Sequence, residues 1–308
     1  MPIQQVQGKQ PKIIAVVGPT ASGKTALGIF LAQKLNGEII SADSRQIYKG
    51  LSSIARVPSK KERAGIPHHL LEFASPKRLY SSGEFVLDAK KIIQKLEQKK
   101  KLPIVVGGTG FYTDTLLRGL QLPQVPPNKK LRTQLEKKTA PQLFAILKKI
   151  DKRSAARIDA KNPPRLIRAI EIAKYLGKVP EISYKPEYDV LWLGLRPEAK
   201  IHEKNIHAGV TKRLNKMLAE AKKIRPLLSK KNVTALGFEL KPLLDYLDEK
   251  TTKKELVETL VREELGYVKR QWRWFKRRDD IHWVKNLPAR AGKTEALRLS
   301  KKFTATKL

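Results

Sequence analysis

The chain has 308 residues, enough for one large domain or for a core with a smaller inserted domain, and 41% of them are hydrophobic. Lysine and arginine number 64 against 29 aspartates and glutamates, so the formal charge is +35. This surplus predicts a polyanionic partner such as nucleic acid, although a basic bias shared by the whole proteome is an alternative. Cysteine is absent, which excludes disulfides and thiolate catalysis, and no apolar run reaches the roughly 20 residues that cross a bilayer. With a polar N-terminus and no export signal, we expect a cytoplasmic protein without a membrane partner.

Strands and helices alternate in the first third of the chain. Apolar runs predict strands at residues 12–18, 38–42 and 102–106, and helical periodicity predicts helices at 24–35 and 83–100. Strands that alternate with helices are typical of an α/β fold, in which helices cover both faces of a parallel sheet.

The character of the sequence changes where three prolines fall within residues 122–127. From residue 129 to residue 176 the sequence is basic and helical in pattern, without a strand signal. Asn162-Pro163 is a typical helix start within this stretch, because Asn caps a helix and Pro suits its first turn. Strand character returns at 190–195, and further helices follow.

These changes divide the chain into a core and a helical insertion domain. The core is predicted to be discontinuous, because its strand pattern resumes after the insertion. The predicted ranges are 12–125 and 188–285 for the core, 126–187 for the insertion, and 286–308 for a basic and partly disordered tail.

Residues 18–25 match the eight-residue phosphate-loop motif and lie between an apolar strand and a helix. The glycines let backbone N–H groups converge on phosphate oxygens, and the helix N-terminus adds a favourable dipole. Lys24 would neutralise phosphate charge, and the Thr25 hydroxyl would bind Mg²⁺. We therefore predict a parallel sheet like that of P-loop NTPases, with a diphosphate or triphosphate ligand. The predicted phosphate-binding residues are Gly18, Pro19, Thr20, Ala21, Ser22, Gly23, Lys24 and Thr25.

Polar residues follow two of the predicted strands. Asp43 comes directly after the second strand, and Thr109 lies in the glycine-rich turn after the third. Because the carboxyl ends of parallel strands line a ligand crevice, we expect both residues near the phosphate loop. Asp43 could act as a general base or as an outer Mg²⁺ ligand, and a simple helix cap is the alternative. Thr109 could offer its hydroxyl to a phosphate or to a transferring group, and a plain turn is the alternative.

Six motifs occur in the order that is characteristic of one enzyme family. They are Gly18 to Thr25, Ser41 to Gly50, Pro67 to Leu71, Gly107 to Gly110, Asn162 to Glu171, and Lys269 to Phe275. Over about Ile13 to Trp283 the chain thereby resembles the bacterial tRNA dimethylallyltransferase family. The resemblance implies transfer of a dimethylallyl group from dimethylallyl diphosphate to the exocyclic amine of the adenosine 3′-adjacent to the tRNA anticodon, with release of diphosphate.

The same resemblance implies roles for individual residues. Asp43 matches the general base that removes a proton from the attacking amine, and Thr109 matches a threonine beside the donor and the acceptor. Arg213 is similar to an arginine that grips the diphosphate. Two departures from the family pattern stand out, because His202-Glu203 replaces an Asp-Arg pair and Ser53 to Pro58 replaces a Gly-Thr-Ala-Lys-Pro run.

Two basic elements could bind tRNA, and the target adenine is expected to be flipped out of its loop. In the helix pattern from 256 to 278, one apolar face contains Val257, Val261, Leu265, Val268, Trp272 and Phe275. Trp274 lies on the opposite side, together with Tyr267, and suits base stacking; coverage by the C-terminal tail is the alternative. Arg165 and Arg168 are neighbours on one helix surface, for which an ordinary solvated face is the alternative. The residues predicted to bind tRNA are Asp43, Ser44, Arg45, Gln46, Arg132, Pro164, Arg165, Leu166, Ile167, Arg168, Lys269, Arg270 and Trp274.

Three rival functions share part of this pattern. The phosphate loop, Mg²⁺ and Asp43 would also suit a small-molecule kinase, which leaves the basic insertion unexplained. A prenyltransferase that acts on free adenine nucleotides would not need RNA, and an RNA-binding NTPase would release phosphate without modifying a base. We expect a monomer in each case.

Overall fold

The computed structural model describes residues 10–284 and 290–306. The chain forms two compact units, of which the first combines Met1–Gly119 with Pro186–Leu308 and the second is Leu120–Lys185. No helix within the described ranges is both long enough and apolar enough to span a membrane.

The first unit is built on a parallel sheet of six strands in the order β3-β2-β4-β1-β5-β6. The strands are β1 (Lys12–Val17), β2 (Gly37–Ser41), β3 (His68–His69), β4 (Leu102–Gly107), β5 (Asp189–Leu195) and β6 (Ile281–Val284). The central strand β1 is buried on both faces, as its unbroken run of Ile, Val and Ala residues predicts. The predicted α/β fold with a parallel sheet is therefore confirmed, while β3 and β6 are strands that the sequence analysis did not identify.

Helices cover the sheet and form the second unit. In chain order they are α1 (Lys24–Lys34), α2 (Lys60–Arg63), α3 (Ser82–Gln98), α4 (Gly110–Leu117), α5 (Lys129–Leu135), α6 (Ala140–Ile150), α7 (Lys152–Ala155), α8 (Pro163–Leu176), α9 (Ala199–Ile224), α10 (Lys230–Leu236), α11 (Leu240–Leu247), α12 (Lys253–Phe275) and α13 (Arg290–Ala305).

Side-chain caps explain where several helices begin. At the start of α3 the backbone N–H of Ser81 donates to Glu84 Oε2 at 2.9 Å, and the N–H of Glu84 donates to Ser81 Oγ at 3.2 Å. Thr252 and Glu255 form the same reciprocal pair at the start of α12. Each pair satisfies backbone donors that the first helical turn leaves without partners.

The second unit, Leu120–Lys185, contains α5 to α8 and has its own hydrophobic core. The N–H of Arg165 donates to Asn162 Oδ1 at 3.2 Å, so Asn162 caps α8 at the predicted position. The two ends of the unit meet in an antiparallel bridge between Leu120 and Tyr184. The unit starts and ends a little earlier in the chain than the predicted insertion, 126–187.

The C-terminal segment differs from its prediction as a partly disordered tail. Residues 290–305 form α13, whose Ala296 and Ser300 are fully buried. Ala296 lies in the hydrophobic cluster that contains α1 residues, with Leu299 and Phe303 packed against the same cluster. The many basic residues of this segment concealed its helical apolar face from the sequence analysis. Residues 285–289 and 307–308 of the predicted tail region lie outside the described residues.

Candidate active site

A cavity of about 910 Å³ opens beside the phosphate loop, at the carboxyl ends of the central strands. Its wall contains Thr20–Thr25 of the loop, Asp43 after β2, and Gly107 at the end of β4. Arg213 of α9 belongs to the same wall. The parallel sheet therefore brings together residues that are far apart in sequence, as expected for a ligand crevice.

Two glycines shape the phosphate loop. Gly18 has φ +144°, and a Cβ at this position would lie 2.6 Å from the carbonyl oxygen of Leu195. Gly23 has φ +90° and immediately precedes α1. A side chain at either position would be strained, so the loop needs glycine for its backbone geometry.

Lys24 lies at the start of α1 with only 9% of its surface exposed. Its Nζ donates to the carbonyl oxygen of Pro19 at 2.6 Å, which holds the ammonium within the loop. Burial lowers the pKa of Lys24 to about 8, while the nearby carboxylate of Asp43 opposes this shift and Arg56 adds to it. A buried, incompletely compensated cation is well suited to bind an anionic ligand.

The backbone of Thr20 is held by two side chains that the sequence analysis did not predict at the site. Its N–H donates to Gln271 Oε1 at 2.8 Å, and the Gln271 Nε2 donates to the Gly108 carbonyl at 3.0 Å. The carbonyl of Thr20 lies 2.7 Å from His202 Nε2. Gln271 and His202 therefore fix the loop through α12 and α9, and Gln271 also ties it to the turn that carries Thr109.

Asp43 and Thr109 lie at adjacent strand ends. Asp43 Oδ1 accepts the N–H of Arg45 at 3.0 Å. The N–H of Ser44 donates to Thr109 Oγ1 at 3.0 Å, and the Thr109 hydroxyl donates to Ser44 Oγ at 3.2 Å. Both residues were expected at the crevice because parallel strands end at the same edge of a sheet, and they lie at the ends of the neighbouring strands β2 and β4.

Tyr267 of α12 lies beside this pair. Burial raises the pKa of Tyr267 to about 12, the negative charge of Asp43 adds to the shift, and a hydrogen bond with Thr109 opposes it. The phenol therefore stays protonated at neutral pH. The helix pattern predicts only that Tyr267 lies on the side of α12 opposite its apolar face, so its place beside Asp43 and Thr109 is evident only from the structure.

Arg213 projects from α9 into the cavity wall. Its Nε donates to the Gly209 carbonyl at 2.9 Å, its Nη1 donates to the Ser53 carbonyl, and its Nη2 lies 3.6 Å from Glu264 Oε2. Burial lowers the pKa of Arg213 to about 10, and the nearby charge of Arg56 contributes in the same direction. These contacts hold the guanidinium in the cavity wall, and binding of a diphosphate by Arg213 stays a prediction.

Comparison with known proteins identifies the family. A sequence model described as IPP transferase matches residues 46–278. The chain belongs to the IPP transferase family. Among similar proteins, the tRNA dimethylallyltransferase of Pediococcus pentosaceus is 38% identical over 283 residues, which cover 88% of this chain and 90% of that protein. The tRNA dimethylallyltransferase of Alkaliphilus oremlandii is 37% identical with the same coverage.

Solved structures of IPP transferases agree with this assignment. The full-length tRNA isopentenylpyrophosphate transferase of Bacillus halodurans has a TM-score of 0.71 and 31% identity, with 96% of this chain and 97% of that chain covered. A eukaryotic dimethylallyltransferase, captured in crystallographic snapshots while acting on tRNA, has a TM-score of 0.85 and 26% identity. That likeness covers 97% of this chain and 80% of the eukaryotic one.

Three residues predicted to bind tRNA in this IPP transferase have partners within the protein. Arg45 pairs with the buried Glu239, and its guanidinium lies 4.4 Å from the centre of the Phe238 ring. Gln46 Nε2 donates to the Arg56 carbonyl at 3.0 Å, and Ser44 is bonded to Thr109. These contacts shape the wall beside Asp43, and binding of tRNA by Ser44, Arg45 and Gln46 stays a prediction.

In the second unit, two predicted tRNA-binding arginines converge on one buried carboxylate. Arg132 Nη2 donates to Glu171 Oε2 at 2.7 Å, and Arg168 Nη1 donates to the same oxygen. Although burial acts to raise the pKa of Glu171, these hydrogen bonds and one from the Asn128 N–H lower it to about 2. Arg132 and Arg168 therefore stabilise the second unit by pairing with Glu171, in addition to any contact with RNA.

The other predicted residues of α8 divide into exposed and buried positions. Pro164 and Arg165 are exposed at the start of the helix. Leu166 and Ile167 have buried side chains that belong to the hydrophobic core of the unit, and binding of tRNA at these two positions stays a prediction. The motif spans a full helical turn, and a turn necessarily contains residues of both faces.

The predicted RNA-binding residues of α12 lie near its C-terminal end. Lys269 and Arg270 are exposed. Trp274 is 37% exposed, and its Nε1 donates to Asp114 Oδ2 at 3.0 Å. A Cβ on Gly110 would lie 2.2 Å from the Trp274 ring, so the indole packs on the start of α4. Stacking of a base on the remaining exposed surface of Trp274 stays a prediction.

The donor set beside the loop suits Mg²⁺. Thr25 lines the cavity, and the buried Ser22 Oγ has no hydrogen-bond partner among the residues that the structure describes. Those residues contain no group of three or more His, Asp or Glu side chains that could hold a metal ion by themselves. Mg²⁺ bound with phosphates needs only one or two protein oxygens, so a hydroxyl beside the loop is sufficient.

Proposed function

We propose that this IPP transferase is a tRNA dimethylallyltransferase. It transfers the dimethylallyl group of dimethylallyl diphosphate to the exocyclic amine of the adenosine 3′-adjacent to the tRNA anticodon, and it releases diphosphate. The observation that carries the proposal is a single cavity whose wall contains the phosphate loop, Lys24 and Asp43. The names of the similar bacterial proteins and the action of the eukaryotic enzyme on tRNA support tRNA as the substrate.

The phosphate loop and its cations would bind the diphosphate of the donor. Backbone amides at the start of α1, the ammonium of Lys24 and the guanidinium of Arg213 face one cavity. Negative charge grows on the diphosphate as it leaves, so cations held in place before the reaction stabilise the transition state. The Thr25 hydroxyl would hold Mg²⁺, whose positive charge would offset part of the same negative charge when it is bound.

Asp43 would accept the proton that the reaction releases. The amine nitrogen forms a bond to C1 of the dimethylallyl group, the C1–O bond breaks, and its electron pair leaves with the diphosphate. The amine proton passes to the Asp43 carboxylate, because bond formation places positive charge on the nitrogen and makes its N–H acidic. Removal of this proton assists an amine whose lone pair is delocalised into the adenine ring and which is therefore a poor nucleophile. The Arg45 N–H already binds Asp43 Oδ1, which orients Oδ2 as the accepting oxygen.

The acceptor would approach from the side of Tyr267. A second cavity, of about 900 Å³, is lined by Phe238, Tyr267 and Arg270. Aromatic rings beside a guanidinium bind nucleobases by stacking. Since Tyr267 also contacts Thr109, a base flipped into this region would come close to Asp43.

The second unit would bind the tRNA itself. Within residues 120–185 there are 16 lysines and arginines against five aspartates and glutamates. Such an excess of positive charge attracts the phosphate backbone of RNA.

We propose that the enzyme acts as a monomer in the cytoplasm, where its tRNA substrate is found.

The decisive experiment is mass spectrometry of nucleosides from tRNA incubated with the protein, Mg²⁺ and dimethylallyl diphosphate. We expect an adenosine heavier by one dimethylallyl group at the position next to the anticodon. Parallel incubations with free AMP or ADP and with labelled ATP test the rival activities. Unmodified tRNA together with prenylated nucleotide, or with phosphoryl transfer from ATP, would refute the proposal.

A further inference from the structure

Gly209 lies in the middle of α9, a helix of 26 residues. Glycine is the least favourable residue for a helix interior apart from proline, because it gains the most backbone freedom on unfolding. The position of Arg56 explains why a glycine is found here. A Cβ on Gly209 would lie 2.7 Å from Arg56 Nη1 and 3.0 Å from Nη2, so a side chain would clash with the Arg56 guanidinium.

Arg56 enters the cavity from a strained turn. Its φ of +53° is in the left-handed region, which residues other than glycine rarely adopt. The turn is held by hydrogen bonds from Gln46 Nε2 to the Arg56 carbonyl at 3.0 Å and from the Val57 N–H to the Ser52 carbonyl at 2.8 Å. Strain that the surroundings maintain in this way is typical of functional sites.

One edge of the Arg56 guanidinium is anchored and the rest is available. Nε and Nη2 donate to the two carboxylate oxygens of Glu264, which is 4% exposed. Nη1, which lies over Gly209, has no acceptor among the residues that the structure describes. A guanidinium held by one edge can present its remaining N–H groups to a phosphate in a fixed orientation.

Arg56 faces the same cavity as Lys24 and Arg213. Its charge helps to lower the pKa of both residues, in addition to the effect of their burial. Three cations thus repel one another around Asp43 and Glu264. An arrangement of this kind is stabilised by a multivalent anion between the cations.

We propose that Arg56 binds the diphosphate of the donor and that Gly209 is the opening in α9 that admits its guanidinium. The inference rests on the proposed function, because it assigns a further ligand to the same donor site. Arg56 stands in the segment where the family pattern has a lysine-containing run. A guanidinium is larger than an ammonium, and the absence of a side chain at Gly209 provides the space for it.

The first test is calorimetric titration of the full-length protein with inorganic pyrophosphate and Mg²⁺. We expect Arg56→Gln to weaken binding by about 10- to 100-fold, and Arg56→Lys to restore part of the loss. Arg78→Gln is the matched control, since Arg78 belongs to another arginine–glutamate pair, with Glu84 at 2.6 Å, and does not line this cavity. Unchanged affinity in Arg56→Gln would overturn the proposal, as would an equal loss in Arg78→Gln.

Gly209→Ala tests the opening separately, because it removes no charge and favours the helix. The gain in helix propensity is offset by the strain that the new methyl group places on the buried Arg56–Glu264 pair, so we expect the variant to fold with the stability of the wild type or somewhat less. It should bind pyrophosphate about 3- to 10-fold more weakly, as the methyl group displaces Arg56. In a background that already carries Arg56→Gln, the same substitution should have no further effect. An equal effect of Gly209→Ala in both backgrounds would contradict the link between the two residues.

Glu264→Gln distinguishes binding of pyrophosphate by Arg56 from a purely structural role of the Arg56–Glu264 ion pair. Removing the carboxylate leaves Arg56 charged, so pyrophosphate affinity should be kept or increased; a loss as large as that of Arg56→Gln would refute a binding role. Arg56→Gln could fail to fold because Glu264 is left unpaired, so the double variant Arg56→Gln with Glu264→Gln removes both charges. The double variant should bind pyrophosphate as weakly as expected for Arg56→Gln.

If the wild-type protein does not bind pyrophosphate at all, the donor site of the proposed function is refuted, whatever the role of Arg56.

Discussion

The two carboxylate oxygens of Asp43 have different surroundings. Oδ1 accepts the Arg45 N–H at 3.0 Å, which fixes the side chain relative to the loop after β2. The side chain lines the donor cavity together with Lys24. One oxygen therefore sets the orientation of Asp43, and the other remains for the amine proton.

Asp43→Asn should abolish prenyl transfer while the local structure is preserved. The amide oxygen of asparagine can still accept the Arg45 N–H, but the amide cannot take up a proton. We expect a fall in rate of at least about 100-fold, measured by mass spectrometry of tRNA nucleosides under single-turnover conditions. Affinity for tRNA, measured by filter binding, should change less than about twofold. A matching loss of tRNA affinity would contradict the role of Asp43 as a base.

Lys24→Met should stabilise the protein and prevent donor binding. At pH 7 Lys24 is protonated in both the native and the unfolded states, because its pKa is about 8 when buried and 10.5 otherwise. The native state therefore contains a poorly solvated charge, and its removal should raise the free energy of unfolding by about 1–3 kcal/mol. Urea denaturation measures this gain, and titration with pyrophosphate measures the loss of binding.

The pH dependence of Lys24→Met provides a control. Between about pH 8 and pH 10.5 the unfolded chain keeps a proton that native Lys24 has lost, so the stability of the wild type rises with pH. The advantage of the variant should shrink over that range. An advantage that is constant from pH 7 to pH 10 would show that the charge of Lys24 is not its cause.

At the scale of elements, α12 shows where sequence patterns mislead. Its apolar residues predicted a buried face that includes Val257, Val261 and Phe275. The structure buries Phe275 fully, but Glu264 and Gln271 are also buried, each 4% exposed, while Val257 and Val261 are only partly buried. Polar residues can occupy a buried helix face when partners from distant segments satisfy them, and the sequence pattern does not reveal those partners.

Gln271 joins the phosphate loop to the turn before Thr109, and two substitutions separate its contacts. Gln271→Glu keeps an acceptor for the Thr20 N–H but loses the donor to the Gly108 carbonyl, whereas Gln271→Leu removes both. We expect Gln271→Leu to lower the free energy of unfolding by about 2–4 kcal/mol, because it leaves two buried backbone groups unsatisfied. Thermal denaturation gives the stability and pyrophosphate titration gives the affinity.

The two variants should also differ in donor binding. Gln271→Glu places a carboxylate beside the phosphate loop, and we expect it to weaken pyrophosphate binding more than Gln271→Leu does. The carboxylate can still orient Thr20, so a weaker effect of Gln271→Glu would mean that orientation of the loop outweighs charge.

On the scale of the whole molecule, the first and last segments of the second unit lie side by side. Leu120 and Tyr184 form an antiparallel bridge, which places their Cα atoms roughly 5 Å apart. A short glycine-serine linker can therefore replace residues 121–184. Since the second unit has its own core, the first unit loses none of its own hydrophobic clusters.

The shortened protein should fold and bind pyrophosphate like the full chain. Its affinity for tRNA should fall by about 10- to 100-fold at about 100 mM salt, because the excess positive charge of the insertion is lost. The dependence of tRNA affinity on salt should become shallower for the same reason. Unaltered tRNA affinity would refute the proposed role of the insertion.

Structural features that depend on residues close together in the sequence could be predicted from the sequence alone. The phosphate loop, the parallel sheet, the cap of α8 at Asn162 and the position of Asp43 and Thr109 at strand ends all follow from local patterns. Each depends on residues that are adjacent in sequence, or on the rule that parallel strands end at the same edge of a sheet.

Only the tertiary structure decided which buried polar groups are partners. Arg56 meets Gly209 and Glu264 across more than 150 residues, and Gln271 reaches the phosphate loop from the far end of the chain. The α13 helix likewise became evident only through its packing on the cluster around α1. Hydrogen bonds between buried side chains depend on distances in space, and a single sequence contains no record of those distances.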